Sequence, residues 1–155
     1  MEGTSMNLRD LPLGSLIVRD ALARTDDVRI ALIEAQETDR RLGEVMLERG
    51  WIRERDLARL LAEQEKLEFV DLAKVDLVPE AVDCIPEPVA RRHQAVGYAF
   101  VGKVLLVAIA DPTDDAGLDA VRDSAGCRVR FRVALASEVD AALEEAYGET
   151  LAASA

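Results

Sequence analysis

The sequence predicts an α+β protein: a helical N-terminal subdomain of two repeated helical hairpins, followed by a small α+β subdomain with a mostly antiparallel sheet. Three observations lead there. A segment occurs twice, because displacing the 155-residue chain by 29 positions lays Leu13-Gly14 on Leu42-Gly43, Arg24 on Arg53, Asp27 on Asp56, Leu32 on Leu61 and Glu34 on Glu63. The same displacement sets apolar residues on apolar ones, such as Leu16 on Val45, Ile17 on Met46, Val18 on Leu47, Leu22 on Trp51 and Val28 on Leu57. A unit this short needs its twin to bury its apolar face. Beyond Leu67 the helical spacing gives way to short apolar runs punctuated by glycine and proline, which read as strands and turns.

Taken in order, residues 1–10 are polar and read as a disordered N-terminus. Residues 11–66 form the helical tandem-repeat subdomain. In the second copy, Leu42, Val45 and Met46 fall at i, i+3, i+4 spacing, and Gly50 stands where a helix ends in a left-handed cap. Trp51-Ile52 makes an apolar connection, and Leu57, Leu60, Leu61 and Gln64 share one face of the next helix. The first copy has the same outline, with Thr25 as the expected N-cap before Val28, Ala31 and Leu32. Ala21 in place of Gly50 leaves its turn less well specified.

Residues 67–148 read as the α+β subdomain. A short strand is expected at 69–72, then two short helices within 78–92 with turns at Pro79, Pro86 and Pro88. Strands at 94–100 and 104–110 are joined by Val101-Gly102-Lys103. A helix starts at Asp111-Pro112-Thr113-Asp114 and stops at Gly126. A strand at 128–135 follows, then a helix capped by Ser137 and running to about Tyr147. Residues 149–155 read as a flexible tail.

Composition narrows the function. The net charge is −11 and the sequence pI is about 4.6, which disfavours DNA, RNA or an anionic membrane as partner. No run approaches a spanning helix and no N-terminal signal pattern is present, so direct membrane insertion is not expected and a cytoplasmic location is. Cys84 and Cys127 read as buried small apolar residues, with a single disulfide left open, and His93 is the lone histidine. No metal set, cofactor motif or nucleophile–base pair appears, and the chain is not expected to be an enzyme. Between positions 39 and 59, six arginines face five acids, so this stretch is where a small anion is least repelled.

The two copies differ in their polar residues. The second carries Arg41, Gly50 and Gln64 where the first has Pro12, Ala21 and Ala35. Arg41 before Leu42-Gly43 can set a planar fork on a phosphate or a guanine edge, and a glycine at a helix start lets a ligand reach the first-turn amides. Gln64 offers a donor and an acceptor for a base edge. Leu42, Val45 and Trp51 would form an apolar bed for a purine. The plainer reading is a tight helix contact at Leu42-Gly43, a solvated Arg41 and a surface Gln64. Other candidates are weaker. Gly97-x4-Gly102-Lys103 has phosphate-loop spacing, but Val104 stands where Ser or Thr must hold magnesium. Asp111, Asp114 and Asp115 read as helix capping, and His93 lacks a partner at motif spacing. Glu138, Asp140, Glu144 and Glu145 form a solvated helix face.

The string Arg41-Leu42-Gly43-x-x-Met46-Leu47-x-x-Gly50-Trp51-Ile52-x4-Leu57-x3-Leu61-x-x-Gln64 resembles the cyclic di-GMP motif of the MshEN domain. That domain is the N-terminal module of type II secretion and type IV pilus assembly ATPases. Phe69-Val70-Asp71-Leu72, Ile85-Pro86, Ala90-Arg91-Arg92 and Val107-Ala108-Ile109-Ala110-Asp111-Pro112 are similar to the rest of the module. The resemblance implies a tandem pair of motifs holding one cyclic di-GMP. Arg41, Leu42, Gly43 and Gln64 match the motif by position, and in the first copy only Leu13 and Gly14 do. Pro12 and Ala35 cannot replace a guanidinium and an amide, and Gln36 is one residue late.

Two functions follow as expectations. One is a non-catalytic regulatory module that binds cyclic di-GMP and couples to a secretion or pilus ATPase. The other is a nucleotide-free adaptor that docks a membrane-platform protein of such a machine.

Overall fold

The structure, a computed structural model, describes residues 10–154, with side chains from 12 to 148. Of the disordered N-terminus expected at 1–10, residues 1–9 lie outside the described residues and Asp10 belongs to a helix, and the side chains of the tail expected at 149–155 also lie outside them. The chain divides into two compact units between Gln64 and Glu65.

The first unit consists of α1 (Asp10–Arg19), α2 (Thr25–Thr38), α3 (Leu42–Glu48) and α4 (Glu54–Gln64). α1 packs on α2, α3 and α4, and α2 packs on α3. Leu13, Ile17, Val28 and Ala31 from the first copy share one core with Leu42, Val45, Met46 and Leu57 from the second. The repeat therefore buries its apolar face against its twin.

Both hairpin turns have the same hydrogen bonding. Trp51 N–H donates to Met46 C=O at 2.9 Å and Gly50 N–H to Leu47 C=O at 3.0 Å, with Gly50 at φ +72°. In the first copy, Leu22 N–H donates to Ile17 C=O and Ala21 N–H to Val18 C=O, both at 3.0 Å, with Ala21 at φ +55°. These are paired Schellman closures. The first turn is thus as well specified as the second, against the sequence expectation. Leu22 and Trp51 both pack on the shared core, which holds the closure, and Ala21 bears a left-handed strain of about 1 kcal/mol. Thr25 is not the N-cap either. Arg24 takes that place in an extended conformation without a side-chain cap bond, and its carbonyl accepts from Val28 N–H at 3.0 Å.

The second unit contains β1 (Glu68–Phe69), a 3-10 turn (Leu72–Lys74), α5 (Pro79–Asp83), α6 (Glu87–His93), β2 (Ala95–Val101), β3 (Val104–Ile109), α7 (Asp115–Ala125), β4 (Val129–Val133) and α8 (Ala136–Ser154). The fold class is as expected, a helical part followed by an α+β part, but the strand sense is not. The sheet order is β1-β4-β3-β2, with only β2–β3 antiparallel, while β3–β4 and β1–β4 are parallel. The reason is α7. An eleven-residue helix between β3 and β4 carries the chain back along the sheet, so β4 starts at the same end as β3.

Local boundaries shift for equally plain reasons. β1 spans two residues because the chain turns at once: Lys74 N–H bonds Asp71 C=O at 3.0 Å, and Leu72 N–H bonds the Glu138 carboxylate at 3.1 Å. Pro79 and Pro88 sit in the first turns of α5 and α6, where a missing N–H costs nothing, and Pro86 is the N-cap of α6. α7 starts at Asp115 because Asp114 caps it, accepting from Gly117 N–H at 3.0 Å. Ser137 lies inside α8, which runs past Tyr147. The Tyr147 hydroxyl reaches the carbonyls of Val82 at 3.0 Å and Ile85 at 2.8 Å, tying α8 to the α5–α6 turn.

Candidate functional site

The second hairpin places Arg41 at the N-cap of α3, extended at φ −81° and ψ 148°, with Leu42 and Gly43 as the first two helical residues. Gln64 is the last residue of α4 and is half-buried. Leu13 and Gly14 are placed differently. They lie inside α1 rather than at its start, so their amides belong to the helix ladder. The first copy consequently presents no opening amides at the positions that match the motif.

Both glycines serve packing. A Cβ on Gly43 would stand 3.0 Å from two Leu57 methyls, and one on Gly14 would stand 3.3 Å from Val28. Leu57 and Val28 are themselves matched by the repeat, so the two contacts are one interaction used twice. The apolar bed expected under a purine is sealed at Leu42 and Val45. Leu42 and Val45 are 0% exposed in the helical core, and the Arg49 guanidinium lies 5.1 Å from the centre of the Trp51 ring. Leu42 and Val45 therefore offer no open face, whereas Trp51 is half-buried and packs on the core.

The electrostatics distinguish three neighbouring arginines. Arg40 Nη1 pairs with Glu48 at 2.7 Å and its Nε lies 3.8 Å from Glu44. That guanidinium holds the Glu48 carboxyl below its usual range. Arg49 pairs with Glu34. Arg41 is half-buried, and among the described residues no carboxylate lies within ion-pair distance of it. Its backbone N–H donates to Glu44 Oε1 at 3.3 Å, which fixes the first turn of α3. α3 has only seven residues, so its dipole is short and an anion here depends chiefly on the guanidinium.

Sequence reasoning missed how the copies clasp each other. Glu34 of the first copy takes Arg49 of the second, and Glu63 of the second takes Arg19 of the first at 2.8 and 3.1 Å. The signal was present, since Glu34 and Glu63 coincide in the repeat. Elsewhere the weaker candidates resolve as structure. Gly97 to Lys103 is a β2–β3 hairpin, and Asp111 and Asp114 accept from Thr113 and Gly117 amides as caps. His93 Nδ1 lies 3.6 Å from Asp114, a partner contributed by the start of α7. Among the described residues no cluster of three metal-ligating side chains occurs, and no helix is long and apolar enough to cross a membrane.

The chain is similar to pilus and secretion proteins. It is 29% identical over 137 residues to the type IV pilus assembly ATPase PilB of Myxococcus xanthus, covering 88% of this chain and 24% of that protein. It is 33% identical over 139 residues to the type II secretion system protein E of Xanthomonas campestris, covering 87% of this chain and 24% of the relative. The chain thus spans about a quarter of these relatives. Among solved structures, one of MshE with cdg matches with a TM-score of 0.78 and 28% identity, over 87% of this chain and 98% of that one. The N-terminal domain of XpsE matches with a TM-score of 0.72 and 25% identity, over 93% of this chain and 97% of that one. A family model described as the MshEN domain matches residues 65–153, the α+β part, whereas the motif resemblance lies in 41–64. The chain belongs to the MshEN domain family.

Proposed function

We propose that the chain is a non-catalytic regulatory module that binds cyclic di-GMP through its second hairpin and couples to a secretion or pilus machine. The carrying observation is the likeness to MshE with cdg over 87% of the chain, read as the cyclic dinucleotide, together with an Arg41 that no carboxylate in the described residues engages. In this reading Arg41 holds a phosphate or a guanine edge, the Gly43 backbone lies beside it, and Gln64 meets a base or ribose. Leu42, Leu13 and Gly14 support the hairpins from within. Occupancy in the segment 11–66 is passed to the segment 67–148 or to a partner, such as the ATPase or a membrane-platform protein, in the cytoplasm.

Isothermal titration with cyclic di-GMP tests it. Binding is expected with a Kd of about tens of micromolar, weakened roughly 10- to 100-fold by Arg41→Ala, as for loss of one charge-assisted contact. No heat at about 100 µM ligand would remove the proposal.

A second reading, a nucleotide-free adaptor, is favoured by one specific observation. α2 exposes Ile30 and Ile33, at 47% and 50%, where the second copy has Arg59 and a buried Ala62. Capture of a membrane-platform protein that survives Arg41→Ala but fails on Ile33→Asp would favour that reading.

A further inference from the structure

At the Gly102 turn, where β2 ends and β3 and β4 begin, one face of the sheet is left open. Val101 stands opposite Val104, and Ala99, Leu106 and Arg130 align across the three strands. Residues directly opposite share a face, as do residues two apart along a strand. Val101, Val104, Arg128 and Arg130 therefore lie on the same side. Val101 is 52% exposed, the highest value for a large apolar side chain among the described residues. Arg128, Arg130 and Lys103 of the turn are exposed as well. Cys127, next to Arg128, is also exposed and Cys84 is half-buried, both as free thiols, which corrects the expectation of two buried residues.

Charge sets this corner apart. Arg132, further along the same row of β4, is taken by Glu68 at 3.2 Å. Among the described residues no carboxylate lies within ion-pair distance of Lys103, Arg128 or Arg130. α7 packs on the opposite face, since its Arg122 lies 5.0 Å from the centre of the Phe131 ring, and Phe131 alternates with Arg130. Three cations without a carboxylate thus surround an exposed valine in a chain whose net charge is −11.

We propose that this corner docks an acidic amphipathic segment of a partner protein, which sets carboxylates on Arg128 and Arg130 and an aliphatic side chain on Val101. Each guanidinium can take a carboxylate through two parallel hydrogen bonds, and the arginine stems extend the apolar strip. Lys103 adds a third charge at the rim. A polyanion fits less well. The overall negative field of the chain repels nucleic acid and anionic lipid at long range, whereas a short segment with few carboxylates meets chiefly the local cations. The surface is built entirely from the second unit, so docking here needs no nucleotide in the first.

The test is fluorescence anisotropy of the full chain with a labelled helical peptide of roughly 15 residues that carries leucine and glutamate on one face. Saturable binding is expected, and it should weaken as salt is raised, because the cations are exposed. Arg128→Glu together with Arg130→Glu should weaken it at least about tenfold, and Val101→Asp by a similar factor. All three side chains are exposed, and an unchanged far-UV spectrum checks that the variants fold. The double arginine variant should instead gain the counterpart peptide with lysine for glutamate, a reversal that damage to the fold cannot produce. Peptide binding that ignores these substitutions, equal binding of both peptides by the unmutated chain, or no binding at about 1 mM peptide would each overturn the proposal. So would tighter binding of phosphatidylserine vesicles or single-stranded DNA, or a self-association that the same substitutions abolish, which would give the face to a second copy.

Discussion

The two copies in the helical unit share a backbone pattern and differ in what their polar positions do. At the turn, both make the same two hydrogen bonds, one through Gly50 and the other through a strained Ala21. At the helix contact, Gly14 meets Val28 and Gly43 meets Leu57. At the motif positions they diverge. Arg41 caps a helix and Gln64 is half-buried, whereas Pro12 is exposed and Ala35 is 2% exposed in the core. Packing constrains what a repeat must keep, and positions outside those shared contacts are where one copy can lose chemistry without losing the fold.

The largest effect should come from filling the tighter helix contact. Gly43→Val is expected to lower stability of the helical unit by about 2–3 kcal/mol, and Gly14→Val by about 1–2 kcal/mol. Urea unfolding followed by Trp51 fluorescence checks the order, and equal losses would show that the two contacts are equally tight. Next, Pro12→Arg restores a guanidinium at an exposed position of the first copy. It should tighten cyclic di-GMP binding about tenfold, near 1.4 kcal/mol. An unchanged titration would mean that the first copy plays no part in the site.

A smaller reciprocal pair probes the turns. Gly50→Ala should destabilise by about 1 kcal/mol and Ala21→Gly should stabilise by about as much, since each exchanges a side chain at positive φ. Matching signs in the urea midpoints would break the equivalence of the two closures. The smallest effects belong to the clasp. Glu34→Gln should cost about 0.5–1 kcal/mol, because Glu34 is three-quarters buried and its arginine also lies over Trp51. Glu63→Gln, at a more exposed pair, should leave the midpoint unmoved.

Much of this was legible in the sequence because the signals are local. A 29-residue displacement exposes the repeat, and the left-handed glycines at 50, 102 and 126 mark real chain reversals. The MshEN resemblance likewise rests on residues that can be quoted in order. Strand sense was harder to read. The helix between the last two strands was foreseen, yet its consequence, a parallel β3–β4 pair, depends on where the chain re-enters the sheet. The candidate site was legible as a list of residues and illegible as a surface, since alternation cannot say that Leu42 and Val45 are sealed and that Arg49 lies over the Trp51 ring.

By itself the sequence determined the repeat, the helical and α+β halves, the left-handed helix ends at Gly50 and Gly126 and the family, because each depends on spacing along the chain. Only the tertiary structure decided the parallel pairings, the cross-copy clasp of Glu34 and Glu63 and the burial of Leu42 and Val45. Those features depend on distances between residues far apart in sequence. Packing sets such distances, and no local periodicity encodes them.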